Sequence, residues 1–167
     1  MAIIIQPWRI PEEGAELEGE ESGDILSLEP DSLIQPEGPV RYILLAQYVT
    51  HELIVTGEVY ARIRFACSRC ADPVLLEVRD SRFLVAREVE NLHDTVDLTD
   101  EVRESIILAF PSYPLCQSDC RGLCVQCGVN RNREHCDCKP LARENWTVLS
   151  GLDKIEVKNG RTQKEEI

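Results

Sequence analysis

Alternation dominates the first half of the chain. Between positions 53 and 67, Leu53, Val55, Val59, Ala61, Ile63 and Phe65 share one parity, whereas Glu58, Tyr60, Arg62 and Arg64 share the other. Such a period predicts a strand with one buried and one wet face. One more step of the same parity brings Cys67 up on the apolar side at the strand's end. Gly57 interrupts the run and marks a bulge or a bend. Residues 40–47, 74–78 and 82–89 read as three further strands, and Asp72-Pro73 is a turn signal between two of them. The period then changes. Val102, Ile106, Ala109 and Phe110 recur at i, i+4, i+7 and i+8, which predicts one helix. Thr99 is its expected N-cap, Asp100 and Glu101 suit the positive end of its dipole, and Pro111 stops it. The predicted fold is α+β: a small antiparallel sheet, one covering helix, and a cysteine-rich knuckle segment beyond them.

The flanks carry weaker patterns. Residues 2–10 read as a short strand or tucked-in arm anchored by Trp8. Residues 11–39 turn to Glu, Gly, Ser, Asp and Pro with scattered Leu and Ile, ten acids and no base. They read as a mobile or loosely docked segment, or as a charged arm for a basic partner. Trp146, Leu149 and Leu152, three apart, suggest a short C-terminal helix despite Gly151, with a frayed tail from position 158. The chain thus divides into an N-terminal arm and acidic segment (1–39), the sheet with its hairpin and helix (40–113), the cysteine-rich segment (114–140), and a short helix and tail (141–167).

Six of the eight cysteines fall in the third of these parts, PLCQSDCRGLCVQCGVNRNREHCDCKP. So little apolar surface cannot offset the entropy of ordering the segment, and a metal is the economical substitute for a core. The other two, Cys67 and Cys70, form a C-x2-C about fifty residues upstream, a spacing that lets one tight turn present two thiolates to one ion. Spacing divides the eight into two sites, with zinc the expected ion. Cys124 and Cys127, followed by Gly128, are closed by Cys136 and Cys138. Cys67 and Cys70 are completed by Cys116 and Cys120, which pins the upstream hairpin to the downstream segment. His135 is a possible substitute ligand.

Other cysteine chemistries fit less well. A disulfide framework belongs to secreted chains, and the run Ile3, Ile4, Ile5 lacks the basic flank of a signal peptide and is broken by Pro7. A thioredoxin-type motif should open a helix, whereas Cys70 leads into another strand-like run. Cys120, Cys124 and Cys127 spell the C-x3-C-x2-C of radical enzymes, but a chain of 167 residues is too short for the barrel those enzymes need. The sequence shows no glycine-rich phosphate loop, no H-E-x-x-H and no nucleophile elbow. His51, His93 and His135 are scattered, so no small-molecule substrate is evident. No apolar run approaches the roughly 20 residues that span a bilayer. A soluble cytoplasmic protein is expected.

Charge narrows the partner. The net formal charge is −12, and two tetrathiolate sites on divalent ions would each add a further −2. Such a balance disfavours a broad grip on a phosphate backbone. Residues 116–143 nevertheless carry five bases against three acids. Arg62, Arg64, Arg69, Arg121, Arg131 and Arg133 are the candidates for contact with RNA or another partner, set against the plainer reading of a solvated polar face.

In order along the chain, CSRC after an alternating strand, the acidic helix entry VDLTDEVRESIILAFP, PLCQSDCRGLCVQCGVNRN with CDC, and Trp-x-x-Leu resemble the YceD family of large-ribosomal-RNA-subunit accumulation proteins. The resemblance covers about 39–152 and implies a cytoplasmic ribosome biogenesis factor needed for accumulation of large-subunit rRNA; with closed cysteine sites and no catalytic machinery, the leading reading is a non-catalytic factor whose partner is a ribosomal protein, precursor large-subunit rRNA, or both. The resemblance extends over all eight cysteines and leaves out the acidic stretch. An rRNA-processing enzyme or nuclease cofactor, and a structural adaptor without nucleic-acid contact, are the alternatives.

Overall fold

A computed structural model describes residues 2–139 except positions 31 and 92. The expected helix around Trp146, Leu149 and Leu152 lies outside the described residues. The elements are β1 (Ile4–Ile5), β2 (Ala15–Glu21), β3 (Ile34–Val49), β4 (Glu52–Ala66), β5 (Pro73–Glu88), β6 (Val96–Asp97) and the helix α1 (Thr99–Leu108). Strands β2-β3-β4-β5 form one antiparallel sheet in that order, and β1 pairs with β6 in a second, two-stranded one. The fold is α+β, as the alternating pattern predicts.

The parity of β4 is the parity of the core. Leu53, Val55, Val59, Ala61, Ile63 and Phe65 are all buried, and Arg62 and Arg64 are exposed. Register slips between Gly57 and Val59, where Gly57 sits at φ +151° and an added Cβ would lie 2.2 Å from the Ile43 carbonyl oxygen. The glycine therefore marks a true bulge. On β5 the slip moves the buried positions from Val78 to Phe83, so both halves of a long strand face one core.

Helix α1 lies over that face with Val102 and Ile106 fully buried, each contributing about 2 kcal/mol of apolar transfer. Phe110 meets Phe65 edge-on, ring centroids 5.3 Å apart, and Ser105 Oγ donates to Asp80 Oδ2 at 2.7 Å across from the β5 bulge. Thr99 is the first helical residue and not the cap. Leu98 occupies the cap position with no side-chain bond, while Asp97 accepts from Thr99 N at 2.9 Å and from Thr99 Oγ1. Thr99 Oγ1 is engaged elsewhere as well, accepting from Ile3 N at 2.9 Å.

Two expectations for the N-terminal region change. Trp8 is 37% exposed and rests against His93; the arm is anchored by Ile3, Ile5 and Pro7. The acidic stretch is built into the sheet and is not a loose arm. Residues 15–21, AELEGEE, are edge strand β2 with Ala15, Leu17 and Gly19 turned inward and Glu16, Glu18 and Glu20 outward. Leu26, in a 3-10 turn (Gly23–Leu26), is buried in the core, and β3 starts at Ile34. Pairing with β3 and the inward Ala15 and Leu17 order this acidic segment, and the outward glutamates on the edge strand discourage pairing with a second edge.

Candidate metal centres

Two C-x2-C turns share one local structure. At 67–72, Cys67 N donates to Asp72 O and Ala71 N donates back to Cys67 O. At 124–129, Cys124 N donates to Val129 O and Gly128 N to Cys124 O. The residue after the second cysteine takes a positive φ in both, +58° at Ala71 and +75° at Gly128. This conformation folds the backbone back so that both thiols point to one side.

The structure brings the eight thiols into two groups. The Sγ atoms of Cys67, Cys70, Cys116 and Cys120 lie within 4.8 Å of one another, and so do those of Cys124, Cys127, Cys136 and Cys138. In the first group Cys67 and Cys120 are 3.8 Å apart and Cys70 and Cys116 3.6 Å. In the second, Cys127 and Cys136 are 3.5 Å apart and Cys124 and Cys136 3.3 Å. These are far from disulfide lengths of about 2.05 Å. A tetrahedron of sulfurs about 2.3 Å from a central zinc has edges of about 3.8 Å, so both groups are of the size that such an ion needs, with the close pairs of the first nearer that edge than those of the second. His135 belongs to neither group; its Nε2 faces Asp137 at 3.2 Å.

Electrostatics favour a cation between the sulfurs. Burial pushes the Cys67 thiol up, but the backbone N–H groups of Arg69, Cys116 and Cys70 outweigh it and hold it down at about 6. The backbone N–H groups of Cys127 and Gln126 hold Cys124 at about 6. The other sulfurs meet the resulting charge. Against the Asp72 backbone N–H, burial and the Cys67, Cys116 and Cys120 sulfurs push Cys70 up to about 12, and the Cys136 and Cys127 sulfurs push Cys138 up to about 12. Four thiols that cannot all ionise together are the donor set a divalent cation relieves. The cages differ in setting. Cys67, Cys70 and Cys120 are buried with Leu115 packed beside them, whereas Cys127 and Cys138 are exposed.

A polar seam joins the two turns. Ser68 N donates to Pro114 O, and Leu123 N donates to Arg69 O. Arg69 Nη1 donates to Cys120 O at 3.0 Å. Gly122, at φ +72°, leaves room for this approach, since a Cβ there would lie 2.9 Å from Arg69 O. Asn130 Nδ2 donates to Asp72 Oδ2 at 2.8 Å and Arg133 pairs with Asp72 at 3.0 Å. Asn132 accepts from Arg121 N and donates to Cys120 Sγ at 3.2 Å, the kind of outer contact that orients a ligand. Asp72, Asn130 and Asn132 are residues that sequence reasoning missed. Their signal is the N-x-N just past Gly128, side chains suited to bond nearby backbone.

The six candidate arginines do not form one patch. Arg64 pairs with Glu37 and Arg133 with Asp72, while Arg69 is tied to Cys120 O. Arg62 is exposed on β4 opposite Glu77. Arg121, Arg131 and Arg133 line a polar cavity of about 370 Å³ beside the second cage, with Asn132, Glu134 and His135. Among the described residues, no helix is long and apolar enough to cross a membrane.

An antiparallel sheet whose hairpin tip is tied by thiols to a downstream cysteine turn defines a class of small α+β proteins with two four-cysteine cages. The family described as Large ribosomal RNA subunit accumulation protein YceD matches residues 55–153, more than half of the chain, and the chain belongs to that family. All eight cysteines fall within the match. An uncharacterized protein of Mycobacterium tuberculosis is 32% identical over 100 residues, 52% of this chain and 48% of the relative. An uncharacterized protein of Mycobacterium leprae is 30% identical over 112 residues, 59% of this chain and 52% of the relative. The chain spans about half the length of these mycobacterial relatives. An Arabidopsis thaliana protein named Large ribosomal RNA subunit accumulation protein YCED homolog 1, chloroplastic, is 35% identical over 43 residues, 26% of this chain and 13% of the relative. No solved structure matches this chain.

Proposed function

We propose that this protein is a non-catalytic, cytoplasmic ribosome biogenesis factor that supports accumulation of large-subunit rRNA, and that it works as a zinc-shaped docking surface. The observation that carries the reading is the first cage. It takes two sulfurs from the β4–β5 hairpin tip and two from the segment at 116–120, inside the span shared with a family named for rRNA accumulation. Zinc is the ion that the all-thiolate, closed, tetrahedral donor sets favour, and closed sites of this kind are structural. When bound, the ion fixes geometry. The chain's own residues do the rest: Asp72, Asn130, Asn132 and Arg69 lock the two turns together, so that the end carrying Arg121, Arg131 and Arg133 has one shape.

A basic ribosomal protein is the main partner in this reading, with precursor rRNA touched only at that end. The acid count supports this division, as does the prior pairing of Arg64 and Arg133 with carboxylates. Deleting the gene in its own cell is expected to lower the ratio of large- to small-subunit rRNA, restored by the wild-type chain and not by Cys67→Ser with Cys120→Ser. An unchanged ratio would contradict the reading. Crosslinking to rRNA should then be confined to Arg121, Arg131 and their neighbours; crosslinks spread over the sheet would make RNA the principal partner.

A further inference from the structure

The sheet has a second face, opposite α1. Its half near the cysteine turns is a lattice of matched charges: Arg41 with Glu20, and Arg79 with Glu58 and Glu77. The half towards the β3–β4 turn is different. Ile43, Val49 and Leu84 are 44%, 54% and 66% exposed there, and Leu45 and Ile54 are half-buried beside them. The register brings Glu16, Leu45, Thr56 and Leu84 into one row across all four strands. A depression of about 620 Å³ runs along this row and is bounded by Glu16, Glu58 and Arg82. Uncovered apolar area of this kind marks an interaction site more often than an accident of the surface.

The rim says what fits. Glu16 and Glu18 stand on one edge strand, and Glu52 and Glu88 close the far end; none has an ion-pair partner among the described residues. Arg82 is the cation bounding the depression. Nucleic acid is disfavoured by such a rim, and a second copy would set acid against acid in a chain of net charge −12. Residues 140–167 carry five bases and five acids, so charge gives them no preference for it. Strands β2 and β5 are three strand spacings apart, about 14 Å, and an α-helix with its side chains is about 10–12 Å across. The face between the edge strands is thus about one helix wide, with carboxylates along its border.

The geometry points to this face as the docking site for an amphipathic, lysine- or arginine-flanked helix of a partner protein. The helix lays its apolar stripe on Ile43, Leu45, Ile54 and Leu84, and its basic flanks reach Glu16, Glu18, Glu52 and Glu88. A helix there completes a helix–sheet–helix sandwich with α1. The site is independent of the cages and of any RNA contact at the cysteine turns.

Fluorescence anisotropy with the full-length, metal-loaded protein tests it. The probe is a labelled peptide of about 14 residues with leucines on one helical face and lysines on the rest. Saturable binding is expected, weakened at least about tenfold by Leu84→Ser with Ile43→Ser and by added salt. The same peptide with glutamates for lysines should not bind, and a short poly-uridine RNA should not compete. Methyl NMR of the wild-type chain should place the shifts on Ile43, Leu45, Ile54 and Leu84, which keeps the test valid if the double variant folds poorly. Equal binding by the double variant in a folded state would overturn the assignment, as would competition by the RNA. So would dimerisation through this face, or contacts of residues 140–167 with Leu84 in the free protein.

Discussion

Ala71 performs at the first cysteine turn what Gly128 performs at the second, in a backbone conformation that disfavours a Cβ. Ala71→Gly is expected to stabilise the metal-loaded protein by about 1 kcal/mol, read as a raised urea midpoint; a lowered midpoint would mean the methyl group packs usefully. Gly57→Ala should do the reverse by about 3 kcal/mol, because its Cβ would collide with the Ile43 carbonyl. Asp97 makes a pH prediction. The Thr99 hydroxyl and then its backbone N–H hold the carboxyl below the ordinary range, so its contribution is complete above that range and is lost as pH falls through the lowered value. The protection of the Ile3 and Thr99 amides, measured against the intrinsic exchange rate at each pH, should therefore fall below about pH 4, and Asp97→Asn should remove that acid dependence. Thr99 is legible in the sequence as belonging to the helix start; Asp97 is not, because a carboxylate two residues ahead looks like any linker acid until β1 brings Ile3 against Thr99.

At the scale of elements, legibility comes from contrast between faces. Strand β4 opposes Val, Ile and Phe to Glu, Tyr and Arg over its second half, and the buried parity survives the bulge. Strand β2 alternates just as regularly, but its inward residues are Ala15, Leu17 and Gly19, so composition hides a period of 2. Gly19 lies opposite Tyr42, whose ring covers the place a Cβ would take, a compensation visible only once the strands are paired. The cysteine grouping is legible for a different reason, since C-x2-C turns have one local geometry and eight thiols make two sets of four. The polar seam is not, because it depends on which carbonyls the turns present to each other. The two cages therefore have separate roles. Cys124→Ser should render the chain beyond Leu115 protease-sensitive while the sheet stays resistant, whereas Cys67→Ser should free the whole segment from the hairpin tip. Limited proteolysis with mass mapping reads both, and identical fragments from the two variants would contradict this division.

Across the whole molecule, two kinds of cohesion meet at the tip of the β4–β5 hairpin. An apolar core under α1 holds the sheet, and thiols with a polar seam hold the cysteine-rich segment. The charge is divided along the same axis, with an acid-bordered sheet at one end and, at the other, residues 116–143, which carry five bases against three acids before any thiol ionises. For the second of these regions the proposal is that coordination replaces a hydrophobic interior. Native mass spectrometry with elemental analysis of the freshly purified chain addresses that replacement directly. Two zinc ions per chain are expected, lost together with protease resistance after position 115 on treatment with a strong chelator. A chain that carries no metal, with all eight thiols free and the same resistance intact, would contradict it.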